Sequence, residues 1–218
     1  PRLAGVISDY ERALKQRNSL LKSRAPESSL RSWSEHLATF GGELIAGRIK
    51  LINEIEPLFQ IAYKNLSAKK LAKLGYKSSI PAPSSEKEVN KEVMLKVIEE
   101  VKSQEIERGI SLVGPHRDDL ILNLGDHPVK GYASHGESWS IALALRLASY
   151  QLFINEGAKP ILILDDVFSE LDEGRREKLL EIADSAEQTF ITVAVENDLP
   201  KAIQGARFKV EMGKVVIL

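Results

Sequence analysis

The chain has 218 residues, of which 43% are hydrophobic and 28% are charged, a composition typical of a globular protein with one large domain or two small ones. It has no cysteine, which excludes disulfides and thiolate metal sites and fits the cytoplasm, where we expect the protein. No apolar run approaches the roughly 18 residues that a membrane span needs, and we expect neither a signal peptide nor a membrane partner.

The charge is distributed unevenly along the chain. Residues 1–73 carry 13 Lys and Arg against 7 Asp and Glu, whereas residues 74–218 carry 17 against 24, and the net charge is −1. A basic front part indicates contact with nucleic acid. The alternative is a solvated helical surface, which charge alone favours.

The first 80 residues predict a helical arm. Apolar residues recur at helical spacing over residues 1–23 and again from about Leu30 to Glu56, and Ala25–Ser29 separates the two helices. Gly41 and Gly42 predict a kink or a close helix contact in the second helix, because glycine weakens a helix but lets a neighbour approach. Pro57 predicts the start of another short helical piece.

The rest of the chain predicts a linker followed by a sheet domain. Residues 78–88 are rich in Ser and Pro, and a helix is predicted from about Glu86 to Arg108. After Gly109 short β-like runs alternate with predicted helices at Glu137–Asn155 and Asp172–Ala186, which indicates an α/β domain. The β-like runs are ISLVG, DLILNL, PILILD, TFITVAV, RFKVEM and KVVIL. We therefore predict an arm at 1–80, a linker at 81–109 and a sheet domain at 110–218.

Two of these runs allow finer predictions. The stretch KPILILDD lacks alternation, so both faces of this strand are expected to be buried, as in a central parallel strand. The last two runs are expected to form an edge hairpin that turns at Met212 and Gly213.

The stretch ILILDDVFSELD, residues 161–172, places two aspartates at the end of an aliphatic strand. The carboxyl edge of a sheet is where α/β proteins bind ligands. Asp165 could hold Mg²⁺, and Asp166 could orient a water for attack on a γ-phosphate, as in the Walker B pattern. The alternative is a solvated strand end, with Asp172 capping the next helix.

A Ser-x-Gly-Glu tetrapeptide, Ser134–Glu137, opens the helix that precedes this strand. A helix amino terminus favours an anion, the serine hydroxyl adds a donor, and Gly136 allows close approach. The alternative is an ordinary capping box between Ser134 and Glu137. Because the tetrapeptide precedes the paired aspartates by about 30 residues with one helix between them, the order matches the signature motif and Walker B of ABC-type ATPases.

Four stretches together resemble the RecF family of bacterial recombination-repair ATPases, within the ABC/SMC superfamily. They occur in the family order and are YERALKQRNSLLK (10–22), GPHRDDL (114–120), YASHGESWSIALALRLA (132–148) and ILILDDVFSELD (161–172). The resemblance implies an α/β ABC-type ATPase lobe with a partial, mostly parallel sheet, plus an inserted α-helical arm domain.

The chain departs from the family pattern in several places. His135 stands where Gln is common, and Glu137 and Ser138 stand where Gln or Glu and then a basic residue are usual. The run TFITVAV ends without the histidine that senses γ-phosphate in many ABC ATPases. RecF-like proteins often lack it, so Thr192 is only a weak candidate for that role. No Gly-x-x-x-x-Gly-Lys-Ser/Thr loop is present. In RecF-like proteins that loop lies in an amino-terminal lobe, so this chain is expected to be a fragment that does not hydrolyse ATP alone.

The resemblance also implies roles for individual residues. RecF-like proteins form ATP-dependent dimers, in which Asp165 would serve Mg²⁺ and Asp166 the attacking water. The signature residues would contact the γ-phosphate bound to the partner subunit, and the D-loop would cross the dimer interface. The signature residues are Ser134, His135, Gly136 and Glu137, and the D-loop residues are Ser169, Glu170, Leu171 and Asp172.

Further implications concern partners. RecF-like proteins act in DNA replication, DNA damage repair, recombination and the SOS response, bind single-stranded or gapped DNA, and support recombinase loading with RecR and RecO. DNA binding would be electrostatic. The candidate contacts on the arm are Arg12, Lys15, Arg17, Lys22, Lys69, Lys70 and Lys73.

The family motif GPHRDDL leaves two alternatives open. Its residues are Gly114, Pro115, His116, Arg117, Asp118 and Asp119. His116 and Arg117 could touch nucleotide, DNA or the arm. Equally, Arg117 could form a structural ion pair with Asp118 or Asp119, which is the interpretation we favour.

Three rival interpretations were weighed. An SMC-like ATPase head fragment would need a longer coiled coil than this arm provides. A transporter ATPase subunit would need a membrane-coupling region. A non-catalytic interaction module would account for the missing phosphate loop, but it leaves Ser134, Asp165 and Asp166 without a purpose.

Overall fold

In the computed structural model, which describes residues 2–67, 70–195, 199 and 203–218, the first half of the chain is dominated by helices. The six α-helices of the described residues are α1 Arg2–Lys22, α2 Glu27–Leu66, α3 Lys87–Glu100, α4 Lys102–Arg108, α5 His135–Asn155 and α6 Glu173–Ser185. A short 3₁₀-helix spans Val167–Glu170. Within this part of the chain no helix is both long and apolar enough to cross a membrane.

Within the described ranges, seven short strands form three small sheets. The strands are β1 Ala72–Lys77, β2 Asp119–Leu124, β3 His127–Pro128, β4 Leu162–Asp165, β5 Thr189–Thr192, β6 Phe208–Glu211 and β7 Lys214–Ile217. Strands β4 and β5 are parallel, whereas β1–β2–β3 and β6–β7 pair antiparallel. The β6–β7 hairpin turns at Met212 and Gly213, which both have positive φ (48° and 75°), and this confirms the predicted turn.

The chain divides into two compact units, and the division differs from the predicted boundary at 109–110. The first unit is Pro1–Gln60 with Lys70–Ala133, and the second is Ile61–Lys69 with Ser134–Leu218. The difference arises because β1, which the sequence did not predict, pairs with β2 from Ala72↔Leu124 to Lys77↔Asp119. This pairing places DLILNL, the second β-like run predicted for the sheet domain, in the helical unit.

Close packing in the first unit explains the glycine pair of α2. The helix runs unbroken through both glycines. A Cβ on Gly42 would lie 2.6 Å from the Lys87 carbonyl oxygen, and one on Gly41 would lie 2.7 Å from the Met94 sulfur. The glycines therefore mark a close contact with α3 rather than a kink, and around it lies a core that includes Tyr10, Leu37 and Ile45.

Two predictions for the first unit were wrong. Pro57 lies inside α2 instead of starting a new helix. Both Pro57 and Asn53, whose carbonyl the proline cannot pair, are exposed, so water can bond that oxygen. The run ISLVG forms no strand, because the Ser111 amide donates to Asn18 Oδ1 at 2.7 Å instead of to a neighbouring strand.

In the second unit, α5 and α6 contribute a core that includes Leu147, Leu179 and Leu180, and the 3₁₀-helix adds Phe168. The prediction that both faces of β4 are buried was wrong. Leu162 and Leu164 are buried, but Ile163 is 67% exposed, because β5 is the one strand that pairs with β4 among the described residues and no described element covers the second face.

Candidate functional site

The two predicted acids lie at the carboxyl end of β4, beside the end of β5. Asp165 pairs in register with Thr192. Asp166 then adopts the left-handed conformation, with φ 50° and ψ 26°, which aspartate tolerates better than most residues. Its amide donates to the Thr192 carbonyl oxygen at 3.1 Å, so the chain turns sharply as soon as the strand ends.

The same threonine contacts both acids through its side chain. The Thr192 hydroxyl donates to Asp165 Oδ1 and accepts from the Asp166 amide at 3.2 Å. The Ala194 amide lies 3.4 Å from Asp166 Oδ1. Asp165, Asp166 and Thr192 are all exposed in this chain. The edge of the sheet thus presents two fixed carboxylates at its surface.

These carboxylates fit a magnesium ion that is shared with a phosphate group. Mg²⁺ typically takes one or two carboxylates and completes its octahedron with water and phosphate oxygens. No cluster of three or more His, Cys, Asp or Glu side chains suited to a metal occurs among the described residues. Two carboxylates at a sheet edge suit a Mg²⁺ whose remaining ligands are water and phosphate oxygens.

The signature tetrapeptide forms a capping box at the start of α5. The Ser134 side chain accepts from the Glu137 amide, and Glu137 Oε2 accepts from both the Ser134 amide and the Ser134 hydroxyl at 2.9 Å. The capping alternative is thus observed. It does not exclude phosphate binding, because the amino end of α5 remains exposed and its dipole favours an anion.

Two arginines at the start of α6, which the sequence analysis did not single out, bond to the turn after β4 and to the end of α2. Arg176 Nε donates to the carbonyl oxygens of Phe168 and Leu171, each at 2.9 Å. Arg175 Nε donates to the Leu66 carbonyl oxygen at 3.0 Å. Asp172 caps α6 by accepting from the Arg175 amide at 3.0 Å, as its alternative interpretation proposed. The Ser169 and Glu170 side chains lie outside the described residues.

Arg175 also links the turn to the signature. A Cβ on Gly136 would lie 3.9 Å from Arg175 Nη1, so the guanidinium lies close to the amino end of α5. The sequence signal for the position of Arg175 is LDEGRR, in which a capping aspartate is followed three and four residues later by arginine. At that spacing the first arginine lies on the same face of the helix start as the cap.

The GPHRDDL turn is held by contacts with α2, with β1 and with the segment after β1, all in the first unit. Arg48 Nη1 on α2 donates to the Pro115 carbonyl oxygen at 2.6 Å. Asp118 accepts from the Tyr76 hydroxyl on β1 and from the Ser79 amide at 2.7 Å. Burial, together with the bond to Asp118, raises the pKa of the Tyr76 hydroxyl well above its usual range. These contacts favour a structural role for the turn.

His116 bridges α1 and the segment before the turn. Its Nε2 lies 3.1 Å from the Ser111 carbonyl oxygen, and its Nδ1 lies 2.6 Å from the Tyr10 hydroxyl. Since a carbonyl can only accept, Nε2 carries the proton and Nδ1 accepts from Tyr10. Burial lowers the pKa of His116, which favours this neutral form. Gly114, with φ 129°, must be glycine because a Cβ would collide with the Tyr10 hydroxyl.

The ion pair proposed for Arg117 is not formed. Its Nε and Nη2 donate to the Ser111 carbonyl oxygen at 3.2 Å and 3.0 Å. Asp118 is occupied by its contacts with β1 and the segment after it, and Asp119 accepts from the Leu120 amide at 2.9 Å. Arg117 therefore stabilises the turn through a backbone carbonyl rather than through a carboxylate.

Arg17 must be removed from the candidate DNA contacts, because its side chain is 2% exposed. It donates to Ser34 Oγ at 2.9 Å, to Ser111 Oγ at 2.7 Å and to the buried carboxylate of Glu105. Arg12 is exposed but pairs with Asp9 at 2.9 Å. Lys69 lies outside the described residues. The remaining candidates are exposed, and they are Lys15, Lys22, Lys70 and Lys73.

The chain is similar to proteins named DNA replication and repair protein RecF. It is 49% identical to that of Streptomyces avermitilis over 227 residues, 45% to that of Beutenbergia cavernae over 250 and 46% to that of Kineococcus radiotolerans over 230. These alignments cover 99%, 99% and 94% of this chain but 61%, 63% and 59% of the relatives. The chain thus spans about three fifths of their length. No family model matches it.

The fold is also shared with solved RecF structures. The recombination mediator protein RecF-ATPrS in the RecFOR pathway superposes with a TM-score of 0.85 at 25% identity, over 100% of this chain and 59% of that one. The RecF-ATP structure gives a TM-score of 0.84 at 24% identity. The predicted resemblance to RecF and the predicted fold class, an ABC-type ATPase lobe with a helical region, are therefore confirmed. The mostly parallel sheet expected for the lobe is not found among the described residues, because β4–β5 is their one parallel pairing and the other pairings are antiparallel.

Proposed function

We propose that this chain forms part of a RecF-type ATPase of DNA replication and repair, because nearly the whole chain aligns with part of the proteins named RecF. The observation that carries the proposal is the carboxylate pair at the carboxyl edge of β4, where Asp166 turns left-handed directly after Asp165. The phosphate-binding loop would come from a part of the protein outside this chain. The greater length of the relatives supports that division.

Each acid has a separate role in this proposal. Asp165 would bind Mg²⁺, which supplies charge neutralisation at the phosphates of ATP. Asp166 would accept a hydrogen bond from the attacking water and orient it toward the γ-phosphate. The separate contacts of the two carboxylates support two roles, because Thr192 donates to Asp165 Oδ1 whereas Asp166 Oδ1 lies 3.4 Å from the Ala194 amide.

The amino end of α5 would bind the γ-phosphate held by a second subunit. Ser134 would then donate its hydroxyl proton to phosphate instead of to Glu137. The helix start can survive this exchange, because Glu137 still accepts from the Ser134 amide at 2.9 Å. A phosphate shared across two subunits gives ATP a higher affinity for the dimer than for the monomer. Hydrolysis removes that preference.

The wider activity is proposed on the same basis. We place the protein in the cytoplasm, in replication, recombination and the SOS response to DNA damage, on single-stranded or gapped DNA with RecR and RecO as partners. The exposed lysines of α1 and β1, Lys15, Lys22 and Lys73, would contact DNA phosphates without reading sequence. Their binding should weaken steeply as salt concentration rises.

The test is the molar mass of a full-length RecF protein carrying this sequence, measured by light scattering with and without ATP and Mg²⁺. We expect a monomer that becomes a dimer with ATP. Ser134→Arg should bind nucleotide but stay monomeric. Ser138→Arg is the matched control, because it adds the same side chain one turn further along α5, and it should dimerise. A mass that ignores ATP in the unmodified protein would favour the non-catalytic interaction module.

A further inference from the structure

The Thr192 hydroxyl contacts both predicted acids at once. It donates its proton to Asp165 Oδ1 and accepts from the Asp166 amide at 3.2 Å. A hydroxyl has one proton to donate, so the bond to Asp165 uses it fully. The two acids of the strand end are thus joined through a single side chain on the neighbouring strand.

We propose that Thr192 is a positioning residue, which fixes the orientation of the Asp165 carboxylate so that its second oxygen faces the nucleotide-bound Mg²⁺. The inference rests on the proposed function, in which Asp165 binds that ion. It assigns Thr192 a role different from sensing the γ-phosphate, because the contacts of its hydroxyl are to the acids themselves.

The chemistry of the two side chains supports this role. The terminal torsion of an aspartate has broad minima, so an exposed carboxylate such as that of Asp165 rotates unless a donor holds it. A β-branched threonine is stiff about its first torsion, and its backbone is fixed by the pairing of β5 with β4. Charge-assisted hydrogen bonds to carboxylates are among the stronger ones in proteins. Thr192 is therefore a rigid donor that holds a carboxylate which would otherwise rotate.

The hydrogen bond from Thr192 to Oδ1 also leaves the second oxygen of Asp165 for a cation. Thr192 donates to Oδ1 of Asp165, and no donor among the described residues bonds to Oδ2. Removing a hydrogen bond from an outer residue to a metal-binding carboxylate typically lowers metal affinity by about 10- to 100-fold. The second contact, from the Asp166 amide, stabilises the left-handed turn that directs the other acid.

A matched control lies on the same strand. Thr189 also uses its hydroxyl, which donates to the Ala183 carbonyl oxygen at 2.8 Å, but it contacts neither acid. Replacing each threonine by valine removes one hydroxyl from β5 while it keeps the β-branched shape. The two variants should lose similar stability, and they differ in whether the acids are affected.

The experiment uses the full-length protein with Mn²⁺ as the probe, and it follows Mn²⁺ affinity by electron paramagnetic resonance in the presence of ATP and, separately, ADP. Thr192→Val should weaken Mn²⁺ binding by about 10-fold with both nucleotides. Thr192→Ser, which keeps the donor, should restore binding, and Thr189→Val should leave it unchanged. In turnover, Thr192→Val should raise the Mg²⁺ concentration for half-maximal rate more than it lowers kcat.

Several results would overturn the proposal. One is unchanged Mn²⁺ affinity in Thr192→Val, and another is an equal loss in Thr189→Val, which would indicate a general effect on the strand. A loss with ATP but not with ADP would identify Thr192 as a γ-phosphate sensor instead. If the unmodified protein binds no Mn²⁺ with either nucleotide, the proposed function fails first, and the role of Thr192 fails with it.

Discussion

The turn at Gly114–Asp118 and the strand end at Asp165–Asp166 both carry charged groups in recognisable motifs, but their surroundings differ. In the turn, Asp118 accepts from a tyrosine hydroxyl, a serine hydroxyl and a backbone amide. At the strand end, Asp165 is exposed and receives one side-chain hydrogen bond from the residues that the structure describes, that of Thr192. Polar groups that satisfy one another stabilise a fold, whereas exposed carboxylates fixed at a sheet edge can accept a ligand.

The hydrogen-bond network around the turn extends to Ser111, Arg17 and Glu105. Ser111 accepts at its carbonyl from His116 and Arg117, and its hydroxyl accepts from Arg17. Arg17 in turn pairs with Glu105, whose second oxygen accepts from the Leu112 amide at 2.6 Å. No buried side-chain nitrogen or oxygen lacks a partner in the part of the chain that the structure describes. The polar network of the first unit is thus complete without a ligand.

The largest loss of stability is expected at the buried ion pair between Arg17 and Glu105. Arg17→Met leaves the fully buried carboxylate of Glu105 without its cation, and breaking a buried pair in this way typically costs about 3–5 kcal/mol. Urea unfolding of the variant should show that loss. Lys15→Met is the matched control on the exposed face of α1 and should change stability by less than about 0.5 kcal/mol. Similar stability of the two variants would contradict the assignment of Arg17.

A substitution of equal chemistry in both regions sharpens the comparison directly. Asp118→Asn replaces a carboxylate oxygen by an amide group that points donors at donors, and we expect it to cost about 1–3 kcal/mol. Asp165→Asn can keep the exposed Thr192 hydrogen bond on its remaining oxygen and should cost less than about 1 kcal/mol. In the full-length protein the order should reverse for Mn²⁺ binding with ATP. Equal stability losses would remove the distinction between the two regions.

A smaller effect is expected from pH. Burial lowers the pKa of His116 in the folded chain, so the unfolded chain takes up a proton first as the pH falls. The stabilising contribution of His116 should be complete above about pH 6.5 and decline below it, toward the lowered pKa. The difference in Tm between the unmodified protein and His116→Gln should therefore shrink between about pH 7.5 and about pH 5. A difference that grows on acidification would give the pKa shift the opposite sign.

Periodicity predicted the helices well, because their apolar residues recur at the helical period. The same period also contained the signal for Arg17, which stands seven residues after Tyr10 and four before Leu21. Those spacings place it on the buried face, whereas Lys15 and Lys22 share a different one. Counting Arg17 as a surface charge ignored its position on the helix, although its partner Glu105 could not have been inferred from spacing.

Other features lay beyond sequence reasoning for physical reasons. Strand β1 has the sequence AKLGYK, with glycine and two lysines, and its pairing with β2 is a long-range contact that local propensity does not report. The paired acids were found from the aliphatic run before them. Their link through Thr192 depends on the register of β4 with β5, which the sequence alone does not fix.

The most direct test of the account is the rate of ATP hydrolysis by Asp166→Asn in the full-length protein. Asparagine tolerates the left-handed conformation of this position, so the fold and ATP-dependent dimerisation should persist. The hydrolysis rate should fall by about 100-fold or more, because the water loses the group that orients it. A variant that hydrolyses ATP at the unmodified rate would contradict the claim that this strand end is the catalytic site.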